Sequence, residues 1–363
     1  MKLTSALVVL NLASSVYLGC GGGDDSSPAQ IQEDAGGSDA TADVTATDSS
    51  PPTDSGVTDS GGDSGTPFMA QTFSITMDKV AGSAGSESTK CITKKLGNVG
   101  TVHAGSLHTI INGGTSVGLI VYKVDDTVEG TTPTNCQPFH AMALSDGGTA
   151  LTVAQAADEL LQFPVGDGFT LADHQMVRIE LHAVDADGTG VGATASFTTI
   201  ADADFKRDVG MIFGGTPDIS IPSNGTTQVH EVLPVPSVMS SSDLLFLSGH
   251  QHQYGTGVMV NYGPAGAGPT IYDDTAALFS APTLTALPAH ETLSTTDGFG
   301  LTCSWHNTSN APVAFGSSAN DEQCFFRAHY APSNGTRICI HTNQGSGADI
   351  CCPGGGAACN TLF

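Results

Sequence analysis

The chain has 363 residues, a formal net charge of −25 and nine cysteines, and its length allows about two globular domains. Residues 68–363 carry 26 of the 36 acidic side chains and only 10 of the 11 basic ones, which argues against nucleic-acid binding because that function needs a basic surface. No apolar run after residue 20 approaches the ~20 residues that a membrane span requires.

The first twenty residues have the pattern of an export signal. Lys2 is followed by an apolar run over residues 6–10, and the segment ends at Tyr17-Leu18-Gly19-Cys20. Gly19-Cys20 after an apolar stretch resembles the bacterial lipobox, whose cysteine is lipidated and becomes the mature N-terminus. We therefore predict a lipoprotein signal peptide over residues 1–20, lipidation at Cys20 and a lipid-anchored, extracytoplasmic location in a bacterial cell envelope, at the outer membrane or the surface. The alternative is ordinary secretion, with Cys20 removed or left over.

Residues 21–67 contain ten acidic side chains and no basic or aromatic ones, and consist mostly of Gly, Ser, Asp, Thr, Ala and Pro. Such a segment buries too little apolar area to offset the entropy lost on ordering. We predict a disordered acidic linker over residues 21–68, which repels itself and holds the body of the protein away from a membrane.

The body of the chain has the alternation of short β-strands. Phe73, Ile75 and Met77 point to one side while Ser74 and Thr76 point to the other. Clusters of Asn, Asp and Gly separate such segments at residues 112–114, 146–148 and 185–188. The pattern predicts an all-β fold of antiparallel sandwiches. Residues 154–161 are the one plausible helical turn.

The turn at residues 185–190 offers a domain boundary, so we predict one sandwich over residues 69–190 and a second over residues 191–363. Eight cysteines follow Cys20, and in an exported chain they are expected to form disulfides. Four of them lie in the last 25 residues, and their pairing stays open, namely Cys339, Cys351, Cys352 and Cys359.

Two histidines form a candidate metal site. The apolar run 244–247 leads into Gly249-His250-Gln251-His252. Residues two apart on a strand share a face, so these imidazoles could bind one metal ion, and imidazole suits copper and zinc. The alternative is a solvated pair of histidines. A third histidine, His182, shares the polar face of a predicted strand over residues 175–184.

Residues 301–332 (LTCSWHNTSNAPVAFGSSANDEQCFFRAHYAP), together with GHQHQYGT at 249–256, resemble the C-terminal domain of the copper type II, ascorbate-dependent monooxygenases. That family includes the peptidylglycine α-hydroxylating and dopamine β-monooxygenases, and its signature is His-x-His followed by Asp-Glu-Met-Cys. The N-terminal half is similar to the family at 134–139 (TNCQPF), 161–168 (LQFPVGDG) and 175–182 (QMVRIELH). The resemblance covers roughly residues 70–340 and implies two tandem antiparallel β-sandwich (jelly-roll) domains.

The resemblance also implies two disulfides, Cys91–Cys136 and Cys303–Cys324, and two coppers, one in each domain. The second copper site would comprise His250, His252 and Gln323, where the family has methionine in place of the glutamine. A soft sulfur suits Cu(I), whereas an amide oxygen is a harder ligand.

The first copper site is depleted. His182 matches its third histidine, but the family's His-His pair falls on Val117-Gly118, and neither of these side chains can bind a metal. His103 and His108 lie one strand earlier and could substitute if the sheet brought them close.

The resemblance implies copper as cofactor, ascorbate as reductant, and an unknown small-molecule or peptide substrate. The missing ligands predict one residual C-terminal metal site and weak or no hydroxylase activity. The alternative is an active copper-dependent monooxygenase that hydroxylates a C–H bond with ascorbate and dioxygen through a rearranged site.

Overall fold

The structure is a computed structural model that describes residues 68–137, 148–275, 279–343 and 348–353. The predicted signal peptide, its Cys20 and the predicted linker up to residue 67 lie outside these ranges. The described residues all belong to one compact unit. No helix within them is long and apolar enough to cross a membrane.

The fold is all-β, as predicted from the sequence. The first sandwich contains β1 Thr72–Val80, β2 Ser86–Lys95, β3 Val102–Asn112, β4 Thr115–Val124, β5 Thr134–Asn135, β6 Thr149–Ala154, β7 Asp158–Gln162, β8 Asp167–Leu171, β9 Met176–Asp185, β10 Val191–Ile200 and β11 Arg207–Asp208. One sheet has the order β1-β10-β3-β8-β11, with β7 also paired to β3, and the other has the order β5-β2-β9-β4-β6. In β1, buried Ile75 and Met77 alternate with exposed residues, as expected for a strand with one face on the core.

The strand β10 belongs to the first sandwich, because it pairs antiparallel with both β1 and β3. The short strand β11 pairs with β8 of the same sandwich. The first sandwich therefore extends to Asp208, beyond the boundary that the turn at residues 185–190 suggested. The turn instead joins two strands of the two facing sheets, β9 and β10.

The predicted helical turn at residues 154–161 is wrong. Ala154 ends β6 and residues 158–162 form β7, in which Glu159 and Leu161 are buried and the alternate residues are exposed. The local sequence AQAADELL is compatible with a helix, but pairing with β3 selects the extended conformation.

The second sandwich follows from Gly210. It contains β12 Gly210–Thr216, β13 Ser220–Ile221, β14 Gly225–Pro234, β15 Asp243–His250, β16 Gly255–Pro264, β17 Thr270–Asp273, β18 Thr285–Thr292, β19 Asp297–Asn307, β20 Val313–Ala314, β21 Cys324–Ala331, β22 Arg337–Thr342 and β23 Ala348–Cys352. Its sheets have the orders β18-β15-β21-β12-β22-β23 and β14-β19-β16-β17, with β13 and β20 paired separately.

The two sandwiches stack through an apolar contact between the β2-containing sheet of the first and the β12-containing sheet of the second. Tyr122 and Val153 on one side pack with Phe213, Phe325 and other apolar residues on the other. Both sandwiches also have an internal core between their own sheets. This part of the contact between the sandwiches therefore has the character of a hydrophobic core.

Both disulfides implied by the family resemblance are present, Cys91–Cys136 and Cys303–Cys324. A third bond, Cys339–Cys351, joins the adjacent strands β22 and β23. Cys352 is disulfide-bonded as well, while Cys359 lies outside the described residues. The bonds link strands within each sandwich, where they stabilise the fold chiefly by restricting the unfolded chain.

Candidate metal centre

The His-x-His motif lies where β15 ends against β21. His250 is the last residue of β15 and stands opposite Phe325 of β21. Because that register is antiparallel, the two residues that follow His250 run beside those that precede Phe325. The fold thus brings His250 and His252 against Gln323, although more than seventy residues separate them in sequence.

The first imidazole of the motif is hydrogen-bonded to the glutamine amide. His250 Nε2 donates to Gln323 Oε1 at 3.0 Å, and Gln323 Nε2 in turn donates to the Gly316 carbonyl at 3.0 Å. The second bond decides which end of the amide faces the ring. Burial, followed by the neighbouring His252, holds the pKa of His250 well below its usual range, so this ring is neutral.

The second imidazole is fixed by backbone carbonyls. His252 Nδ1 lies 2.9 Å from the Ser318 carbonyl oxygen and 3.1 Å from that of Asp321. Carbonyls only accept hydrogen bonds, so Nδ1 carries the proton and Nε2 carries a lone pair. Burial lowers the pKa of His252 to about 4, and its buried Nε2 has no hydrogen-bond partner among the described residues. Metal-binding histidines have this arrangement, with one nitrogen held by a carbonyl and the other open.

A buried carboxylate organises the turn that carries the motif. Glu322 is 0% exposed and accepts the backbone N–H groups of His252 and Tyr254 and the indole N–H of Trp305, at 3.0, 2.6 and 2.9 Å. Burial raises the pKa of Glu322 to about 7, although these N–H donors act in the opposite direction. The sequence placed Glu322 within the family signature but assigned it no role. Its contacts identify it as the group that holds the turn in place.

His182 lies on β9 of the first sandwich and faces the second sandwich. His182 Nε2 lies 2.7 Å from the Glu87 carboxylate, and its buried Nδ1 has no hydrogen-bond partner in the described part of the chain. Burial lowers the pKa of His182, and the hydrogen bond to Glu87 opposes this shift. His182 stands opposite Gly118, where β4 has a bulge, and space is open where a side chain at residue 118 would begin.

His103 and His108 do not replace the missing pair. Both lie on β3, which belongs to the sheet that does not contain His182. His103 stacks on Phe205 at 3.7 Å, and His108 Nε2 pairs with Asp158 at 2.7 Å. The condition under which His103 and His108 could substitute is therefore not met, because the two sheets of a sandwich are ~10 Å apart.

A cavity of about 310 Å³ adjoins the His252 ring. Thr115, Val117 and Val184 line it from the first sandwich, and His252 and Phe279 line it from the second. Its volume lies at the lower end of the range for small-molecule pockets. The cavity could hold a small molecule beside the His252 ring, although His252 Nε2 itself is buried.

The donor atoms can be tested for their fit to a metal ion. Within the described ranges, no three or more His, Cys, Asp or Glu side chains are arranged to hold one, so a centre here would use two imidazoles and the Gln323 amide oxygen. Two atoms bound to one tetrahedral ion at about 2.0–2.1 Å lie roughly 3.3 Å apart, close to the 3.0 Å between His250 Nε2 and Gln323 Oε1. The ring centroids of His250 and His252, 5.5 Å apart, also suit two ligands of one ion. The donor set suits Cu(II) or zinc once the ring proton of His250 moves from Nε2 to Nδ1, which leaves a lone pair on Nε2.

Comparisons with known proteins assign no family. No family model matches the chain, and no curated protein matches it. The solved structures that are similar include the major capsid protein P2 of bacteriophage PM2, at 10% identity and a TM-score of 0.31, covering 74% of this chain and 100% of that one. The insecticidal delta-endotoxin Cry8Ea1 of Bacillus thuringiensis has 12% identity and a TM-score of 0.18, covering 73% and 53%. Likenesses this weak carry no conclusion about function.

Proposed function

We propose that this protein is an envelope-tethered lipoprotein with the fold of the copper type II, ascorbate-dependent monooxygenases, one residual metal site at His250, His252 and Gln323, and little or no hydroxylase activity. The observation that carries the proposal is the buried His252 Nε2, which holds a lone pair and has no partner within the described residues. A buried polar atom without a hydrogen bond is costly, and a bound metal ion would satisfy it.

The chemistry of the site favours Cu(II) or zinc over Cu(I). A bound ion of this kind supplies a Lewis acid and an open position for water or an anion. His250 and His252 would hold the ion through Nε2, and Gln323 would contribute its amide oxygen as a weak, hard ligand. The cavity beside His252 would admit a small molecule to that position.

The ligand losses argue against coupled hydroxylation. In the family that the sequence resembles, a second copper delivers an electron, and the positions that would hold it carry Val117 and Gly118 here. His103 and His108 are engaged on the far sheet, as described above. We therefore propose ligand binding at a single centre as the function, with ascorbate having no role.

A second candidate is an active monooxygenase with a rearranged first site. The observation in its favour is His182, whose buried Nδ1 also has no partner among the described residues. This candidate needs further ligands for that centre, and the described residues around His182 provide Glu87 only as its hydrogen-bond partner.

Metal content distinguishes these proposals. After dialysis against Cu(II) or zinc and then against buffer, elemental analysis is expected to find about one equivalent in the wild type and none in His252→Ala, with His108→Ala as the matched control. Two equivalents of copper, together with copper-dependent oxygen uptake on adding ascorbate, would favour the monooxygenase. Metal binding that is unchanged in His252→Ala would refute the proposed site.

A further inference from the structure

One carboxylate connects the two sandwiches beside the candidate metal centre. Glu87 lies on β2 of the first sandwich, and its side chain is 26% exposed. Glu87 Oε2 accepts the Ser318 hydroxyl at 2.9 Å, and Glu87 Oε1 accepts the Ala319 backbone N–H at 2.8 Å. Both donors belong to the segment between β20 and β21 of the second sandwich. Glu87 Oε1 also lies 2.7 Å from His182 Nε2.

These contacts determine which nitrogen of His182 carries the proton. Both oxygens of the Glu87 carboxylate act as acceptors in these contacts, since Oε2 accepts the Ser318 hydroxyl and Oε1 accepts the Ala319 backbone N–H. His182 Nε2 must donate to Glu87 Oε1, and His182 Nδ1 is left as the acceptor.

The same carboxylate acts indirectly on His252. The segment that Glu87 holds presents the carbonyl oxygens of Ser318 and Asp321 to His252 Nδ1. Those carbonyls keep the proton on Nδ1 and the lone pair on Nε2. Bonds within the second sandwich also hold this segment: Asp321 N donates to the Ser318 carbonyl, and Ser318 N donates to the Asp321 carboxylate. Glu87 is its anchor to the first sandwich.

We propose that Glu87 is a positioning residue for both histidines: it holds His182 with a bare Nδ1, and it holds the carbonyls that leave His252 with a bare Nε2. This role deepens the proposed function, because only an imidazole with a bare nitrogen can bind a metal ion. The expected effect of Glu87 on metal affinity rests on the proposed function, whereas its expected effect on the histidine tautomers does not. Partners that hold metal-binding histidines typically change metal affinity by about 10–100-fold when removed.

The test compares two substitutions of similar size. In Glu87→Gln, the amide oxygen can still accept from His182 and Ala319, while the amide nitrogen can donate to the Ser318 hydroxyl. In Glu87→Leu, all three contacts are lost. Long-range ¹H–¹⁵N spectra of the metal-free, histidine-labelled full chain report the tautomer of each ring. We expect His252 protonated on Nδ1 and His182 on Nε2 in the wild type and in Glu87→Gln, and mixed tautomers for both rings in Glu87→Leu.

Metal affinity provides the second measurement. Binding of Cu(II) is expected to weaken by about 10–100-fold in Glu87→Leu and to stay close to wild type in Glu87→Gln. Asp158→Asn is the matched control, because it alters a carboxylate–imidazole contact of equal length, 2.7 Å, on the far sheet. It should leave His182 and His252 unchanged.

The failure of this inference differs from the failure of the proposed function. If the wild type binds no metal but the tautomers respond as stated, Glu87 has the positioning role and the metal function is wrong. If the wild type binds metal and Glu87→Leu keeps both tautomers and the same affinity, the inference about Glu87 is wrong. Should Glu87→Leu not fold, the wild-type spectrum still decides, because a His252 ring protonated on Nε2 overturns the inference.

Discussion

Arg327 and Glu159 form a bidentate ion pair across the contact between the two sandwiches, with N–O distances of 2.7 and 2.8 Å. Their side chains are 2% and 4% exposed. Arg327 also donates to the Thr152 hydroxyl and to the Val153 carbonyl. Since Arg327 lies on β21, a few residues after Gln323, this pair fixes the strand that carries one edge of the metal centre.

Removing one member of this pair should strongly destabilise the protein. Arg327→Met leaves the Glu159 carboxylate buried without its partner, and we expect the free energy of unfolding to fall by about 3–5 kcal/mol. The double variant Arg327→Met/Glu159→Leu should recover much of this loss, because it leaves no buried charge. Urea unfolding measures both effects. Arg178→Met is the comparison, since its pair with Asp126 is more exposed and should cost only ~0–1 kcal/mol. Equal losses in the single and double variants would contradict this account.

The fluorescence of Trp305 should report the ionisation of Glu322. Trp305 is the only tryptophan, and its indole N–H donates to the Glu322 carboxylate at 2.9 Å. Because burial raises the pKa of Glu322 to about 7, the emission should show a single transition with a midpoint near pH 7. Below that pH the carboxyl group is neutral and becomes a weaker acceptor. Glu322→Gln should remove the transition. A transition that persists in that variant would assign it to another group.

Acidification should destabilise the fold through its buried histidines. Burial, then the charge of Arg327, lowers the pKa of His329 to about 3, and burial lowers that of His252 to about 4, against an ordinary value of 6.5. At a pH between the folded-state pKa and the ordinary pKa of 6.5, each of these histidines is protonated in the unfolded chain and neutral in the folded chain. The contribution of these histidines is therefore complete above pH 6.5 and is lost as the pH falls toward the folded-state values, by roughly 5 kcal/mol for His329 and roughly 3 kcal/mol for His252.

Glu322 acts in the opposite direction over part of this range, because its pKa is raised from 4.5 to about 7. Its contribution is complete below pH 4.5 and is lost as the pH rises through 7. The stability lost through His329 and His252 exceeds the stability gained through Glu322, so the net effect of acid is a lower free energy of unfolding. Urea unfolding at pH 7.5, 6 and 5 checks this, and His329→Gln, which can still donate to the Leu151 carbonyl, should show a smaller loss. The same pH dependence in both proteins would rule out His329 as a contributor.

Gln323→Met should shift the metal preference of the centre toward Cu(I). The thioether is a softer ligand than the amide oxygen, and its introduction also removes the hydrogen bond that joins Gln323 to His250. We expect Cu(I) to bind about tenfold more tightly relative to Cu(II), which corresponds to about 1.4 kcal/mol. Competition titrations with chelators for each oxidation state measure the ratio. Because the Gly316 carbonyl loses its donor, stability should decrease by about 1 kcal/mol.

The control for this change is Gln253→Met, at an exposed glutamine in the turn that carries His252, where the side chain bonds Asn320. It adds a thioether of the same size outside the His250–Gln323 contact. An equal shift in both variants would show that position 323 has no special relation to the metal.

Much of the fold could be predicted from local patterns. The alternation of Phe73, Ile75 and Met77 follows from a strand that has one buried face. Turns separate such strands in the described part of the chain. The bonds Cys91–Cys136 and Cys303–Cys324 were implied by a family resemblance and are present. The helical turn at 154–161 and the boundary at residue 190 were wrong because partner strands that are distant in sequence decided both.

The candidate site, like the fold, could be predicted only in part from the sequence. The sequence by itself predicted that His250 and His252 lie close together at the end of a strand, and the structure confirms that His250 ends β15. That Val117, Gly118 and Gln323 replace copper ligands was implied only by the family resemblance and stays a prediction. The sequence could not show that His103 and His108 lie on the far sheet, or that Glu87 bonds His182 and the Ser318 segment at once. Periodicity and spacing act between near neighbours along the chain. Which ring nitrogen keeps its proton depends on acceptors that only the stacking of two sandwiches brings within hydrogen-bonding distance.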